Sequence, residues 1–370
     1  MTSAPDANFR QLDNDLARVK ARLLFRAKAY NEAVQEPIDY AFSAFGHLYR
    51  PMLVLTSAYI LAQDLNEPAP PEVIDAAAAV ELLHMATLHH DDIIDNAQTR
   101  RGNPTMNAKF GQDVAILTGD FLLAASMQTS ASLGVSEMQA LCTALTSACV
   151  GQMLETSQLF EHSRSEADYI SAIEGKTAAL MRAAALIGAI VSGADTTAQE
   201  AFASFGRHLG IAFQIWDDIL DLSVTARTGK PTAQDIDNGV YTLPVIYAMG
   251  NIRDDLMPLL EKQPLTDGSR AAVIALLEQC GALRYSVDRA QNHLAEAFAA
   301  IATLNCLAGK QAEVIGRLQG LIQLILPRHA DFNLLSRPAA RAVGNGSGPY
   351  HAGLMHDGAS PVGGGEEIRR

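Results

Sequence analysis

"EVIDAAAAVELLHMATLHHDDIIDNAQTRRGNP" runs from Glu72 to Pro104. Up to Leu88 its apolar residues recur at three-to-four spacing with few β-branched clusters, which predicts a helix whose alanines let neighbours approach closely. Three carboxylates, Asp91, Asp92 and Asp95, then follow on the same periodicity, flanked by histidines and the pair Arg100 and Arg101. Positions i and i+4 of a helix share a face and i+1 lies about 100° round. Asp91 and Asp95 therefore point together, with Asp92 at the edge. A second stretch, "FQIWDDILDL" from Phe213 to Leu222, repeats the Asp-Asp-x-x-Asp spacing with Asp217, Asp218 and Asp221. "KTAALMRAAALIGAIVSGA", from Lys176 to Ala194, has the same helical texture. The prediction is an all-α protein.

The remaining composition fits that expectation. Of 370 residues 48% are hydrophobic and 19% charged, enough for a large core. Helical patterns fill most of residues 6–328, broken by short turn signals such as "NEPAPP" (66–71) and "RRGNP" (100–104), with no internal boundary. One helical domain is expected over residues 1–336. From about Arg337 the chain turns Gly-rich and loses its apolar period, so residues 337–370 read as a disordered tail with His351 and His356 incidental to it.

Glu81 or Arg182 interrupts each long apolar run before it reaches the length of a clean transmembrane span. The N-terminus lacks a basic region followed by an apolar core, so a cytoplasmic location is expected. Cys142, Cys149, Cys280 and Cys306 show no metal-type pair spacing and read as buried free thiols. The net charge of -13 argues against nucleic acid as a partner and against a standing electrostatic anchor on anionic lipid.

Carboxylates this close repel one another and lose hydration on an apolar helix, so a cation must compensate. Lysine and arginine partners could supply it; so could a hard divalent metal. Oxygen ligands without cysteine favour Mg²⁺, which takes one or two carboxylates, keeps waters and completes its octahedron with substrate phosphate. A single cluster would equally suit a solvated acidic face. Two identical clusters, each followed by basic residues, suit a diphosphate clamp. Those bases are Arg100 and Arg101, then Lys230, with Lys176 between them, and each can bind phosphate. Zinc on His84, His89 and His90 is disfavoured by the absence of cysteine and the oxygen-rich surroundings. His84 lies seven residues before Asp91 and can face the same cavity, while His89 or His90 suits packing around it.

The motifs "ELLHMATLHHDDIIDNAQTRRG", "AILTGDFLLA", "GKTAAL", "FQIWDDILDL" and "DIDNGVYTLPVIYAM", in that order, resemble the trans-isoprenyl diphosphate synthases, and most of all the long-chain polyprenyl synthases of actinobacterial type. The resemblance implies a bundle of ten or more helices around a central cavity and a homodimer. It implies three Mg²⁺ ions bridging the Asp motifs to the diphosphate of an allylic substrate, whose carbocation isopentenyl diphosphate attacks. Asp91, Asp92, Asp95, Asp217 and Asp218 would hold metal, with Asp221 weaker. Arg100, Lys176 and Lys230 would neutralise the leaving diphosphate, and Thr177 and Gln214 would lie beside the reacting carbons.

One departure stands out. The family usually shows Gly-Gly-Lys-x-x-Arg-Pro near its start, whereas this chain has "FGHLYRP" at 45–51, placing His47 where the lysine belongs. Arg50, His84 and Arg101 still fit an isopentenyl diphosphate site. Elongation leads, against a terpene cyclase, a prenyltransferase with another acceptor, or a non-catalytic partner subunit. Counting back four and five residues from Asp91 gives Thr87 and Ala86, one turn deeper on the cavity side, and their small side chains favour products beyond twenty carbons.

Overall fold

The computed structural model describes residues 5–29, 31–43, 45–62, 67–223, 233–261, 265–302, 304 and 311–326. The tail 337–370, Lys230 and Cys306 lie outside them, as do the expectations placed there.

The described residues are almost entirely helical. In chain order they form α1 (Pro5–Arg26), α2 (Gln35–Ala41), α3 (Tyr49–Leu61), α4 (Pro71–Ile94), α5 (Met106–Phe110), α6 (Gln112–Ala131), α7 (Val135–Ser157) and α8 (Glu166–Ile173). A single π-helical turn, Glu174–Ala178, joins α8 to α9 (Ala179–Val191). Then come α10 (Thr196–Ser223), α11 (Gln234–Asp237), α12 (Leu243–Asn251), α13 (Arg253–Leu260), α14 (Asp267–Gln279), α15 (Ala282–Ala302) and α16 (Gln311–Ile325). The all-α expectation holds, apart from one tiny hairpin that pairs Thr99 with Pro104 and Arg100 with Asn103. Its turn, Arg101 and Gly102, has φ of 52° and 81°, the left-handed pair that a two-residue hairpin requires.

Local chemistry sets several boundaries. Pro71 opens α4, where its missing N–H costs nothing. Ser165 and Asp168 form a reciprocal capping box at the start of α8. Thr105 caps α5 by accepting from the Ala108 N–H.

Packing follows the small residues. α4 lies along α6, α3 and α9, and α10 lies along α9 and α15. Gly206 and Gly210 let α10 approach closely: a Cβ on Gly206 would stand 2.5 Å from the Met181 carbonyl oxygen, and one on Gly210 would stand 2.6 Å from Ala178 Cα. The C-terminal helices build a second apolar cluster in which Ile236, Tyr241, Leu256 and Leu277 pack on Leu222. That cluster anchors residues 233–242 beside the end of α10. By length and composition α6 could cross a membrane, but its Ala115, Gly119 and Leu122 face is buried in the bundle.

Two expectations fail here. Cys142 and Cys149 are exposed on α7, and neither is buried as their apolar neighbours suggested. The outward side of α7 is itself apolar, with Val150 and Met153 exposed, so local hydrophobicity does not report burial there.

Candidate active site

Asp91 and Asp95 on α4 face Asp217 on α10 across a cleft that also receives Lys176, Gln214 and Glu155. The helical spacing brings these groups together as expected. Burial pushes Asp91 up to about 6, with Asp95 adding and Lys176 opposing. Asp217 is raised by burial and by Asp221, and Asp95 by burial against the pull of Lys176. Burial is the main reason that all three carboxylates are raised.

Asp92 departs from the metal-facing expectation. A step of one residue turns it about 100° from Asp91, and there Arg100 Nε donates to its Oδ1 at 2.8 Å. Asp92 and Arg100 line a second pocket, with Glu81, His84, His89 and Arg101.

Asp218 is buried and takes part in a chain of hydrogen bonds. The Tyr169 hydroxyl donates to Oδ2 at 2.6 Å and the Gln214 amide to Oδ1 at 2.8 Å, while the Thr177 hydroxyl donates to Gln214 Oε1 at 2.7 Å. Burial and Asp235 still hold the Asp218 carboxyl well above the usual range. Asp221 accepts from the Asp235 N–H at 3.4 Å and is raised by burial.

The Lys176 ammonium is ion-paired with Glu155. Burial disfavours its charge, but Glu155, Asp91 and Asp95 outweigh that effect and its pKa rises. Glu155, Tyr169, Arg164 and Asp235 were not found by sequence reasoning. Glu155 lies in "GQMLE" on α7, three residues after Gln152, and both line the cleft. Asp235 closes "RTGKPTAQD", and burial pushes it up to about 7, with Asp221, Glu155 and Asp217 adding. Arg164 lies over the Tyr169 ring at 5.6 Å and donates to the Tyr241 carbonyl at 2.9 Å.

Two turns back along the same face of α4 is a group of cations that reaches from this cleft into the second pocket. Arg50 Nη1 donates to His84 Nε2 at 3.0 Å. Burial takes His84 well below its usual pKa and the three nearby arginines add to that, so the ring is neutral. The Arg101 guanidinium packs so closely on Gly46 that a Cβ there would meet Nη1 at 2.6 Å. His47 is exposed and lies flat on Tyr49, with ring centroids 5.0 Å apart and 10° between the planes.

Thr87 lines the cleft together with Leu83, Ala144, Leu145 and Leu180. Ala86 does not. Five residues is about 500° of helix, which leaves it roughly 140° round from Asp91. It is buried one turn before His90, whose ring packs on Gly119 of α6.

Facing acidic helices around an apolar-walled cleft define the all-α isoprenoid synthase fold. The polyprenyl synthetase family model matches residues 31–277, and the chain belongs to that family. Nonaprenyl diphosphate synthase of Mycobacterium tuberculosis is 33% identical over 318 residues, 85% of this chain and 92% of the relative. The crystal structure of a decaprenyl diphosphate synthase from Rhodobacter capsulatus superposes with a TM-score of 0.77 at 30% identity, covering 86% of this chain and 99% of the other. A polyprenyl synthase from Caulobacter crescentus, complexed with calcium and isoprenyl diphosphate, gives 0.76 at 27% identity over 89% and 99%. The protein is accordingly a prenyltransferase of the polyprenyl diphosphate synthase kind.

Proposed function

We propose that the protein lengthens an allylic prenyl diphosphate by head-to-tail addition of isopentenyl diphosphate, with Mg²⁺ as cofactor. The observation that carries this reading is two charged groups along one face of α4: the carboxylates Asp91 and Asp95 at its end, and two turns earlier neutral His84 with Arg50, next to Arg101 in the adjoining pocket that His84 also lines. A cyclase needs one diphosphate site. Two suit an elongating enzyme that holds two diphosphates at once.

The donor set fits a hard divalent cation. It consists of carboxylate oxygens held above their ordinary pKa by burial and mutual repulsion, without cysteine. Among the described residues no group of three or more His, Cys, Asp or Glu side chains is arranged to hold a metal ion by itself. Mg²⁺ takes one or two carboxylates and fills the rest of its shell with water and phosphate. Asp91, Asp95, Asp217 and Asp221 would hold it, three ions per site in our reading. Bound Mg²⁺ supplies the charge that a departing diphosphate requires.

The chain's own residues do the rest. Lys176, Arg100 and Lys230 offer positive charge to the leaving diphosphate as the allylic C–O bond breaks and the electron pair goes to oxygen. Thr177 and Gln214 present hydroxyl and amide dipoles to the carbon that becomes positive. Asp92 aims Arg100, and Asp218 aims Gln214. Arg50, His84 and Arg101 hold isopentenyl diphosphate, whose double bond forms the new C–C bond before a proton leaves. His47 contributes through Tyr49, and without a lysine's charge it attracts phosphate weakly.

The dimer and the location complete the proposal. The exposed apolar faces of α6 and α7, with Leu117 66% and Met153 69% exposed, suit a second copy of the chain in the cytoplasm. One helical domain to about residue 336, followed by a tail that takes no part in the chemistry, is the organisation we propose.

The test is consumption of labelled isopentenyl diphosphate with Mg²⁺, with and without excess chelator, in wild type and Arg101→Met. We expect chelator to abolish turnover, and the variant to raise KM for isopentenyl diphosphate with little change in KM for the allylic substrate. Turnover unaffected by chelator would contradict the metal; an allylic-only effect of the variant would contradict the two-site reading.

A further inference from the structure

Helices α8 and α9 are continuous through the π-helical turn Glu174–Ala178, and that turn carries Lys176 and Thr177, which line the cleft. An i→i+5 turn leaves an α-helix strained unless its surroundings hold it open. Here it is held from two sides. Toward α7 the backbones touch: a Cβ on Gly151 would stand 2.3 Å from the Lys176 nitrogen and 2.6 Å from the Ala172 carbonyl oxygen. One on Gly175 would stand 2.5 Å from the Ser147 carbonyl oxygen. Toward α10, Arg207 grips the Glu174 carboxylate with two parallel hydrogen bonds, Nε to Oε1 at 2.5 Å and Nη2 to Oε2 at 2.6 Å. Such a planar bidentate pair fixes direction as well as distance.

We propose that Gly151 and the Glu174–Arg207 pair are positioning residues, which set where the π turn places Lys176 and Thr177. The four ties divide by helix. Glu155 and Gly151 of α7 hold Lys176 and Gly175; Arg207 and Gln214 of α10 hold Glu174 and Thr177. Arg207 and Gln214 are seven residues apart, two helical turns on one face, so α10 receives the turn as a rigid rail. Neither Gly151 nor Arg207 lines the Asp91 side of the cleft, where the reacting atoms would sit. Their effect passes through geometry. A methyl on Gly151 cannot be accommodated against the backbone of residues 172–176 without moving the turn, and losing the Arg207 fork frees its outer side.

The mechanism of turnover in this inference rests on the proposed function; the geometry does not. The experiment therefore reads both. On the full chain, Gly151→Ala and Arg207→Gln are compared with wild type for kcat, for each KM, and for the rate at which an amine-specific reagent modifies Lys176, followed by peptide mass spectrometry. Arg207→Lys restores the charge without the fork. The Arg207 side chain is 35% exposed on the outside of the turn, so its variants should fold if Gly151→Ala does not. We expect Gly151→Ala to lower kcat about 100-fold and Arg207→Gln about tenfold, as small misplacements near a reacting centre do. KM for isopentenyl diphosphate should stay unchanged, Lys176 should be modified faster in both variants, and Arg207→Lys should recover little. A purely structural role would lower melting temperature and leave Lys176 reactivity, kcat and the KM pattern as in wild type. That outcome overturns the inference. If wild type shows no prenyl transfer, the proposed function fails, and the Lys176 reactivity still decides whether these residues place the turn.

Discussion

Arg100 Nε donates to Asp92 Oδ1 at 2.8 Å, so the chain itself compensates one carboxylate of the first cluster and leaves Asp91, about 100° round α4, to the cleft. Substitutions at the two adjacent positions should therefore differ. Asp91→Asn and Asp217→Asn should each lower kcat about 1000-fold, since they remove charge where the metal is held. Asp92→Asn releases Arg100 and should act mainly on KM for the allylic substrate. Steady-state kinetics of the three variants, with circular dichroism to confirm folding, is the check, and equal kcat losses at Asp91 and Asp92 would contradict the division.

Metal binding should release protons near neutral pH. Burial raises Asp235 to about 7 and Asp91 to about 6, so in the metal-free protein part of each is protonated there. Mg²⁺ favours the ionised forms. Titration calorimetry at pH 6.5 in two buffers of different ionisation enthalpy should show net proton release, declining by pH 8.5. These raised values also mean that the charged forms destabilise the empty fold above the ordinary carboxylate range. Asp235→Asn should raise the melting temperature at pH 8, and the gain should shrink as pH falls through 7 and the wild-type group protonates.

Asp15 behaves in the opposite sense. Burial opposes its charge, but the Ala69 N–H, the Tyr59 hydroxyl, Gln11 and Arg18 all donate to it, and together they lower its pKa. A depressed folded pKa contributes stability that is complete above the unfolded value near 4 and is lost as pH falls through the folded value. Asp15→Ala should cost about 3 kcal/mol at pH 7, because it strands buried donors tying α1 to α3 and the start of α4. Denaturant unfolding at pH 7 and pH 3 would show the gap between variant and wild type narrowing at the lower pH.

What the sequence made legible follows from periodicity. Two Asp-Asp-x-x-Asp runs on apolar helices led directly to an all-α bundle with carboxylates facing across a cleft. Rotation within a helix was less secure: Ala86 was placed on the cavity side by counting back from Asp91, yet an offset of five residues turns it away, and the metal role that the resemblance gave Asp92 meets the edge position that its one-residue offset had already predicted. Tyr169, Arg164 and Glu155 were missed because their relation to the site exists only once α7, α8 and α10 are assembled. The π turn left no mark beyond the Gly175 that permits it. The short hairpin was seen only as a turn, since two-residue strands have no period to detect.

Product length should respond to Thr87 directly. Thr87→Phe puts a ring into the cleft beside Leu83 and Leu145, whereas Ala86→Phe puts one on the His90 side of α4 against α6. Thr87→Phe should shorten products by one or more five-carbon units while the first condensation persists. Chromatography of the dephosphorylated products gives the answer. A larger shortening at Ala86 would place the growing chain between α4 and α6 instead.

His47→Lys restores the point charge that the family usually carries at this position and should lower KM for isopentenyl diphosphate a fewfold without changing KM for the allylic substrate. An unchanged KM would remove His47 from the vicinity of that diphosphate.

The most direct test of the central claim is product identity. Purified protein is incubated with Mg²⁺ and farnesyl or geranylgeranyl diphosphate, with and without isopentenyl diphosphate, and all products are identified by mass spectrometry. The account predicts prenyl diphosphates longer than the primer by multiples of five carbons, formed only when isopentenyl diphosphate is present. Cyclised hydrocarbons formed without it would contradict the account.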